Sequence, residues 1–309
     1  SGEYVQYNAS KGVVLATGDI SYNDEYIDAF APVANRVFTR LCSDQGNVGD
    51  GHNMAAWAGG AFQDGPWPTM MHPQAAATFH GPFMFVNPAG KRFMNEDQCY
   101  PMSYAGGANQ PGHFSWIVWD GSYWEDIERF DTCGCSRLYP APSGTAFNAD
   151  VYDCEAMSKE HLDEFWLNPR LEAGTLKKAD TLEALADMME FDADQKATFL
   201  ATVERYNGLV AAGEDTDFGK PAYRLSDVGT APFYAARIGG ELLVTIHGVI
   251  TDVNSQPLKN DGTPIEGLYA SGNTCGMRFG PEYITPIPGV SIGMCLTLGR
   301  ELGKYLAAK

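Results

Sequence analysis

Apolar and polar positions along this chain fall into distinct textures. Val13-Val-Leu is a short apolar run that leads to Gly18, which predicts a buried strand over 13–18 and a turn after it. Apolar residues at helical spacing then predict helices over 24–41 and 51–62, the second beginning where Asp50 can cap it. From Gly65 to about Pro142 the rhythm is lost. Pro, Gly and aromatic residues interleave there, with strands expected at 83–86 and 114–119. Helical spacing returns over 155–168 and 181–212, the latter broken near Asp192 and ending near Gly213. Strands are expected again at 241–246, 249–251 and 268–271. No internal repeat or low-complexity segment is present. The simplest architecture is a cofactor domain built from both ends of the chain, 1–64 and 233–309, with a second domain inserted at 65–232.

The C-terminal stretch carries the clearest chemical signal. Gly267-Leu-Tyr-Ala-Ser-Gly-Asn-Thr-Cys-Gly276 reads as a strand that ends in a glycine-rich turn. Gly280-Pro-Glu-Tyr283 and a bend through Pro286 and Pro288 follow, and an amphipathic helix opens at Gly289. The first N–H groups of a helix lack partners and sit at the positive end of its dipole. Such a start suits an electron-rich group, either a phosphate or the anionic edge of a reduced ring. A redox cofactor is therefore expected.

Composition narrows the classes. The 309 residues, with 44% hydrophobic and 12% aromatic content, are enough for two domains and a sizeable core. A net charge of −18 argues against a nucleic-acid partner and against an anionic membrane surface. It also disfavours a strongly anionic substrate unless arginines are placed locally. No apolar run approaches the ~18 residues that span a bilayer. Seven cysteines, Cys42, Cys99, Cys133, Cys135, Cys154, Cys275 and Cys295, form no Cys-x-x-Cys pair and have no His at zinc spacing. Free thiols and no metal are expected, and the compartment stays open.

Together the blocks resemble the fumarate reductase and 3-ketosteroid dehydrogenase superfamily of FAD enzymes, over most of the chain. The run from Asn273-Thr through Gly280-Pro-Glu-Tyr283 to Gly289 is similar to its C-terminal flavin motif, nearer the ketosteroid branch. Val13-Val-Leu-Ala-Thr-Gly18 resembles its Ala-Thr-Gly motif, and Gly49-Asp-Gly51 its Gly-Asp-Gly helix start. Met70-Met-His-Pro73 and Val86-Asn-Pro-Ala-Gly-Lys-Arg-Phe-Met-Asn-Glu96 resemble its substrate-side blocks. Thr202-Val-Glu-Arg-Tyr-Asn207, Asp217-Phe-Gly-Lys-Pro221 and Pro232-Phe-Tyr-Ala235 resemble its cap region. The resemblance implies an α/β fold: part of a Rossmann-like FAD-binding domain with an inserted α+β cap over the substrate. The family's opening Gly-x-Gly-x-x-Gly turn is absent here. The chain is thus expected to be the C-terminal part of a longer flavoprotein, with an N-terminal FAD-binding segment or a separate electron donor as partner.

The resemblance also implies roles for residues. FAD would be held by Ala16, Thr17, Gly18, Asp50, Asn273, Gly289, Val290 and Ser291. Asp50 has helix capping as an equal alternative, and Asn273 has simple turn chemistry. Tyr100, following Arg92-Phe-Met-Asn-Glu96, would be the proton group, since ketosteroid dehydrogenases carry a catalytic tyrosine there and fumarate reductases an arginine. Tyr283 would hold the substrate carbonyl, although two more residues than in the family separate it from Gly289. His72 would bind substrate. His247 stands where the family has glycine, and Arg278 is out of register and expected at the surface. A dicarboxylate needs paired arginines and histidines, so fumarate is not the expected substrate. The expected activity is reduction of an activated C=C bond in a small organic acceptor. The alternatives are a ketosteroid dehydrogenase-like desaturase, or a fragment that does not hold FAD.

Overall fold

The structure, a computed structural model, describes residues 2–37, 39–40, 46–73, 83–98, 106–129, 158–280, 283 and 289–309. Its two ends meet in the first sheet. Strand β1 (Val13–Leu15) lies parallel to β9 (Leu268–Ala270), with Leu15 opposite Ala270. Helix α1 (Asp24–Phe30) begins at Asn23, whose side chain accepts the Tyr26 N–H at 3.1 Å. The helix expected over 24–41 stops early. Pro32 has no N–H and opens a 3-10 turn over Pro32–Arg36, and Thr39–Arg40 become strand β2. Helix α2 (Asp50–Trp57) is also shorter than expected, because Gly59 and Gly60 end it. Asp50 is its first helical residue rather than its cap. Gly49 takes the cap position at φ 87°, ψ 24°, a left-handed conformation that suits glycine.

The second sheet has β8 (Gly240–Thr245) at its centre, with β2 parallel on one side and β3 (Thr69–Pro73) antiparallel on the other. The strand expected at 249–251 reduces to single bridges, from Val249 to Phe62 and to Cys275 and from Thr251 to Pro257. The chain turns at once there, since Asp252 Oδ1 accepts from the Asn254 and Gln256 N–H groups.

The third sheet is antiparallel, in the order β4 (Met84–Val86), β5 (Ser115–Trp119), β7 (Phe233–Ile238), β6 (Leu176–Ala179). Both faces are covered, which explains why Ser115–Trp119 is buried at every position. Alternate residues of the pleat divide between two cores. Phe85, Ile117, Trp119, Tyr234 and Ala236 join Tyr123 of α3 (Tyr123–Arg129), Leu162 of α4 (Lys159–Leu162) and Leu167. A π-helical stretch, Asp163–Leu167, leads from α4 into α5 (Asn168–Glu172). Met84, Val86, Trp116, Val118, Phe233 and Ala235 pack against α6 (Leu182–Met188) and α7 (Ala193–Ala212). The break at Asp192 is a capping box with Gln195, and Gly213 closes α7 at φ 71°. Residues 155–157 of the expected helix lie outside the described residues. Strands β6 and β7 were not expected. Two lysines interrupt the first, and alanines dilute the second.

Three of the resemblance blocks meet in one buried ion cluster. Arg92 bonds Glu96 and Asp215, each at 2.9 Å, and stacks over Tyr206 at 4.6 Å. Lys220 reaches Glu96 at 3.4 Å and the Tyr206 hydroxyl at 2.8 Å. Burial alone would raise the Asp215 carboxyl, but the Arg92 bond and charge bring it down to about 2.

Candidate functional site

The turn after β1, the start of α2 and the turn after β9 are tied together by hydroxyls. Thr17 Oγ1 accepts the Gly51 N–H at 3.0 Å, and Thr274 Oγ1 donates to the Gly18 carbonyl at 2.9 Å. A Cβ on Gly51 would overlap Thr17 Oγ1, so this approach requires glycine. Ala16, Thr17 and Asp50 are exposed beside this junction, and Gly18 adopts φ 83°.

Asn273 lies in a 3-10 turn, Gly272–Thr274, and its Oδ1 accepts from Arg278 at 2.9 Å. Arg278 also donates to the Cys275 carbonyl at 3.3 Å and lies 3.5 Å from Cys295 Sγ. It is half-buried, which corrects the expected surface placement. Cys295 belongs to helix α8 (Val290–Ala308), so Arg278 links the Asn273 turn to that helix. The cap of α8 is Gly289, at φ 75°, ψ 13°, with no side-chain capping bond. Tyr283 is buried at 2% exposure, and its hydroxyl accepts the Ser291 N–H at 3.2 Å. The Phe279 ring stands edge-on to Tyr283 at 4.8 Å. The structure thus brings together Ala16–Gly18, Asp50 and Asn273, and joins Gly289–Ser291 to Tyr283. His72 sits in β3 opposite Glu241, and Tyr100 lies outside the described residues.

Three titratable groups behind this junction were missed or undervalued from sequence. Burial pushes Asp19 up to about 6, against hydrogen bonds from Thr245 and Ser21. Burial lowers His52 and His247 to about 4, so both are neutral near pH 7; for His247 the bond to Phe279 opposes the shift and Arg278 adds to it. Asp19 follows directly on Ala-Thr-Gly18, the one sequence signal that marked it. Cys275 and Cys295 are free thiols, and no group of three or more metal-ligating side chains occurs among the described residues. No helix among the described residues is long and apolar enough to cross a membrane.

Comparison with known proteins agrees with this geometry. The profile of the FAD binding domain family matches residues 1–284. The chain is 31% identical to 3-oxosteroid 1-dehydrogenase of Mycolicibacterium smegmatis, covering 97% of this chain and 52% of that protein. It is 27% identical to vinyl phenol reductase of Lactiplantibacillus plantarum, over 96% of this chain and 60% of that one. Among solved structures, 3-ketosteroid delta1-dehydrogenase from Sterolibacterium denitrificans superposes with a TM-score of 0.69 at 23% identity, over 99% of this chain and 55% of that chain. An open flavocytochrome c3 fumarate reductase gives a TM-score of 0.61 at 26% identity, over 96% of this chain and 46% of that chain. The chain spans about half the length of the curated dehydrogenases it matches. Its mixed helix-and-strand fold is the one these flavoproteins share, and the chain belongs to the FAD binding domain family of flavin-dependent oxidoreductases.

Proposed function

We propose that this chain forms the flavin- and substrate-facing part of an oxidoreductase acting on a CH–CH bond next to a carbonyl. The observation that carries this reading is the convergence of the Ala16–Gly18 turn, the start of α2, the Asn273 turn and the start of α8. The surface there fits a large flat cofactor. Cβ atoms built on Gly280, Gly289 and Gly293 meet no heavy atom within 4 Å, so these positions leave open space beside α8. Ala16, Thr17, Gly18, Asp50, Asn273, Gly289, Val290 and Ser291 would hold FAD, in a Rossmann-like domain. A cap over the substrate would begin near residue 65. Its end falls after β7 rather than at 232, since β7 shares the sheet of β4, β5 and β6.

Bound FAD would supply hydride exchange with the substrate carbon. The remaining demands fall on side chains. Tyr100 would move the proton on the neighbouring carbon. Tyr283 and His72 would orient the carbonyl. A hydroxyl that accepts from Ser291 is polarised into a better donor, which suits Tyr283 to that task. Arg278 directs its donors to Asn273, Cys275 and Cys295 rather than to a carboxylate, which supports an uncharged enone or phenolic alkene over fumarate. The dehydrogenase relatives favour a second reading, desaturation of a ketosteroid-like substrate by the same residues in reverse.

A further segment of the flavoprotein would pack on this side. Val13 and Val14 are 51% and 42% exposed on β1, and Ile292 and Leu296 are 69% and 70% exposed on α8. The test has two steps. FAD titration of the purified protein, read by its visible spectrum, should show stoichiometric binding; a colourless protein at saturating FAD rejects the flavin reading. Anaerobic assays with a reduced dye and candidate enones, set against oxidative assays with steroid ketones, separate the two directions. Tyr100→Phe should lower turnover on the active substrate by at least about 100-fold.

A further inference from the structure

Two buried imidazoles, His52 and His247, each leave Nδ1 without a partner among the described residues. In both, Nε2 faces a backbone carbonyl. His247 Nε2 lies 2.7 Å from the Phe279 carbonyl, and His52 Nε2 lies 3.4 Å from the carbonyl of His247. A carbonyl only accepts, so each ring carries its proton on Nε2, and Nδ1 presents a lone pair. A buried acceptor left dry is costly and calls for an explanation.

The two rings differ in what surrounds them. His52 is ringed by Tyr26, Phe62 and Trp67, with centroids 6.3, 6.0 and 5.8 Å away. Aromatic packing encloses it. His247 instead borders the cofactor-side junction. Its partner Phe279 stacks edge-on with Tyr283, whose hydroxyl takes the Ser291 N–H at the start of α8. The neighbouring Arg278 holds Asn273. The backbone beneath His247 cannot shift to relieve the lone pair. A Cβ on Gly248 would overlap His52 Nε2 and come within 2.6 Å of the Thr274 carbonyl, so the segment is packed to its limit.

We propose that His247 Nδ1 accepts a hydrogen bond from an N–H or O–H group of the flavin bound beside α8. This rests on the flavin reading above and adds a specific contact to it. The matching donors on FAD are the ring imide N–H and the ribityl hydroxyls. An acceptor held rigidly in a dry wall selects one orientation of the isoalloxazine.

Long-range 1H–15N NMR of ring-labelled histidine, before and after loading with FAD, tests this directly. The His247 Nδ1 resonance should move upfield on loading, with Nε2 and both nitrogens of His52 unchanged. A matching shift at N3 of 15N-labelled FAD identifies the imide as donor; an unmoved N3 identifies a ribityl hydroxyl. In parallel, His247→Leu should weaken FAD binding about five- to tenfold, and His247→Gln, which keeps an acceptor, should weaken it less. Stoichiometric FAD binding with an unmoved His247 Nδ1 overturns this inference and leaves the flavin reading standing. Failure to bind FAD at all overturns both. The NMR arm uses the unsubstituted protein, so a variant that does not fold cannot decide the matter.

Discussion

Asp19 is fully buried yet accepts bonds from the Thr245 N–H and from two hydroxyls, tying the turn after β1 to the end of β8. Its carboxyl is raised to about 6, so the folded chain takes up this proton more readily than the unfolded one. The stabilisation is present below the ordinary carboxylate range and is lost as pH rises through about 6. A shift of this size is worth about 3 kcal/mol. The stability of the native chain relative to Asp19→Asn should therefore grow by about that amount between pH 7 and pH 4, measured by urea unfolding at each pH. Tyr283 gives a second test. Tyr283→Phe leaves the Ser291 N–H without its partner and should cost about 1–3 kcal/mol in thermal unfolding. Neither role was legible in the sequence. A turn aspartate and a tyrosine in a proline-rich loop look alike whether dry or wet, because burial is set by residues far away in the chain.

At the scale of elements, local chemistry was well marked where a cap or a glycine decides the outcome. Asp192 with Gln195 and the left-handed Gly213 bound α7 as expected. The misses have equally physical causes. Pro32 cut the first helix because its ring cannot continue the hydrogen-bond ladder, and tertiary pairing overrode the weak strand signal of β6 and β7. The loop that leads from β4 is anchored by Arg92, Glu96, Asp215 and Lys220, whose side chains are nearly or wholly buried. Glu96→Gln leaves two buried cations facing one carboxylate and should cost about 3–5 kcal/mol, read from the urea midpoint. A loss below about 1 kcal/mol would mean that water reaches the cluster.

Across the whole molecule, two neutral histidines make acid the weak side. His52 and His247 fall to about 4 in the folded state, so stability is full above pH ~6.5 and is lost as pH falls through about 4. Each contributes a loss of about 3 kcal/mol, and Asp19 offsets one of them over the same window. Net acid destabilisation of about that size between pH 6.5 and 4 is the expected outcome of a pH-dependent unfolding series. The sequence by itself determined the alternation of strands and helices, the glycine turns and the order of motif blocks that identify the family. These depend on backbone preferences and spacing within a few residues. Only the tertiary structure decided that Thr17, Gly51 and Thr274 knit the two ends of the chain together. It also decided that Arg278 turns inward and that His247 presents a lone pair beside α8. Such facts arise from contacts between distant segments, whose burial and pairing no local stretch encodes.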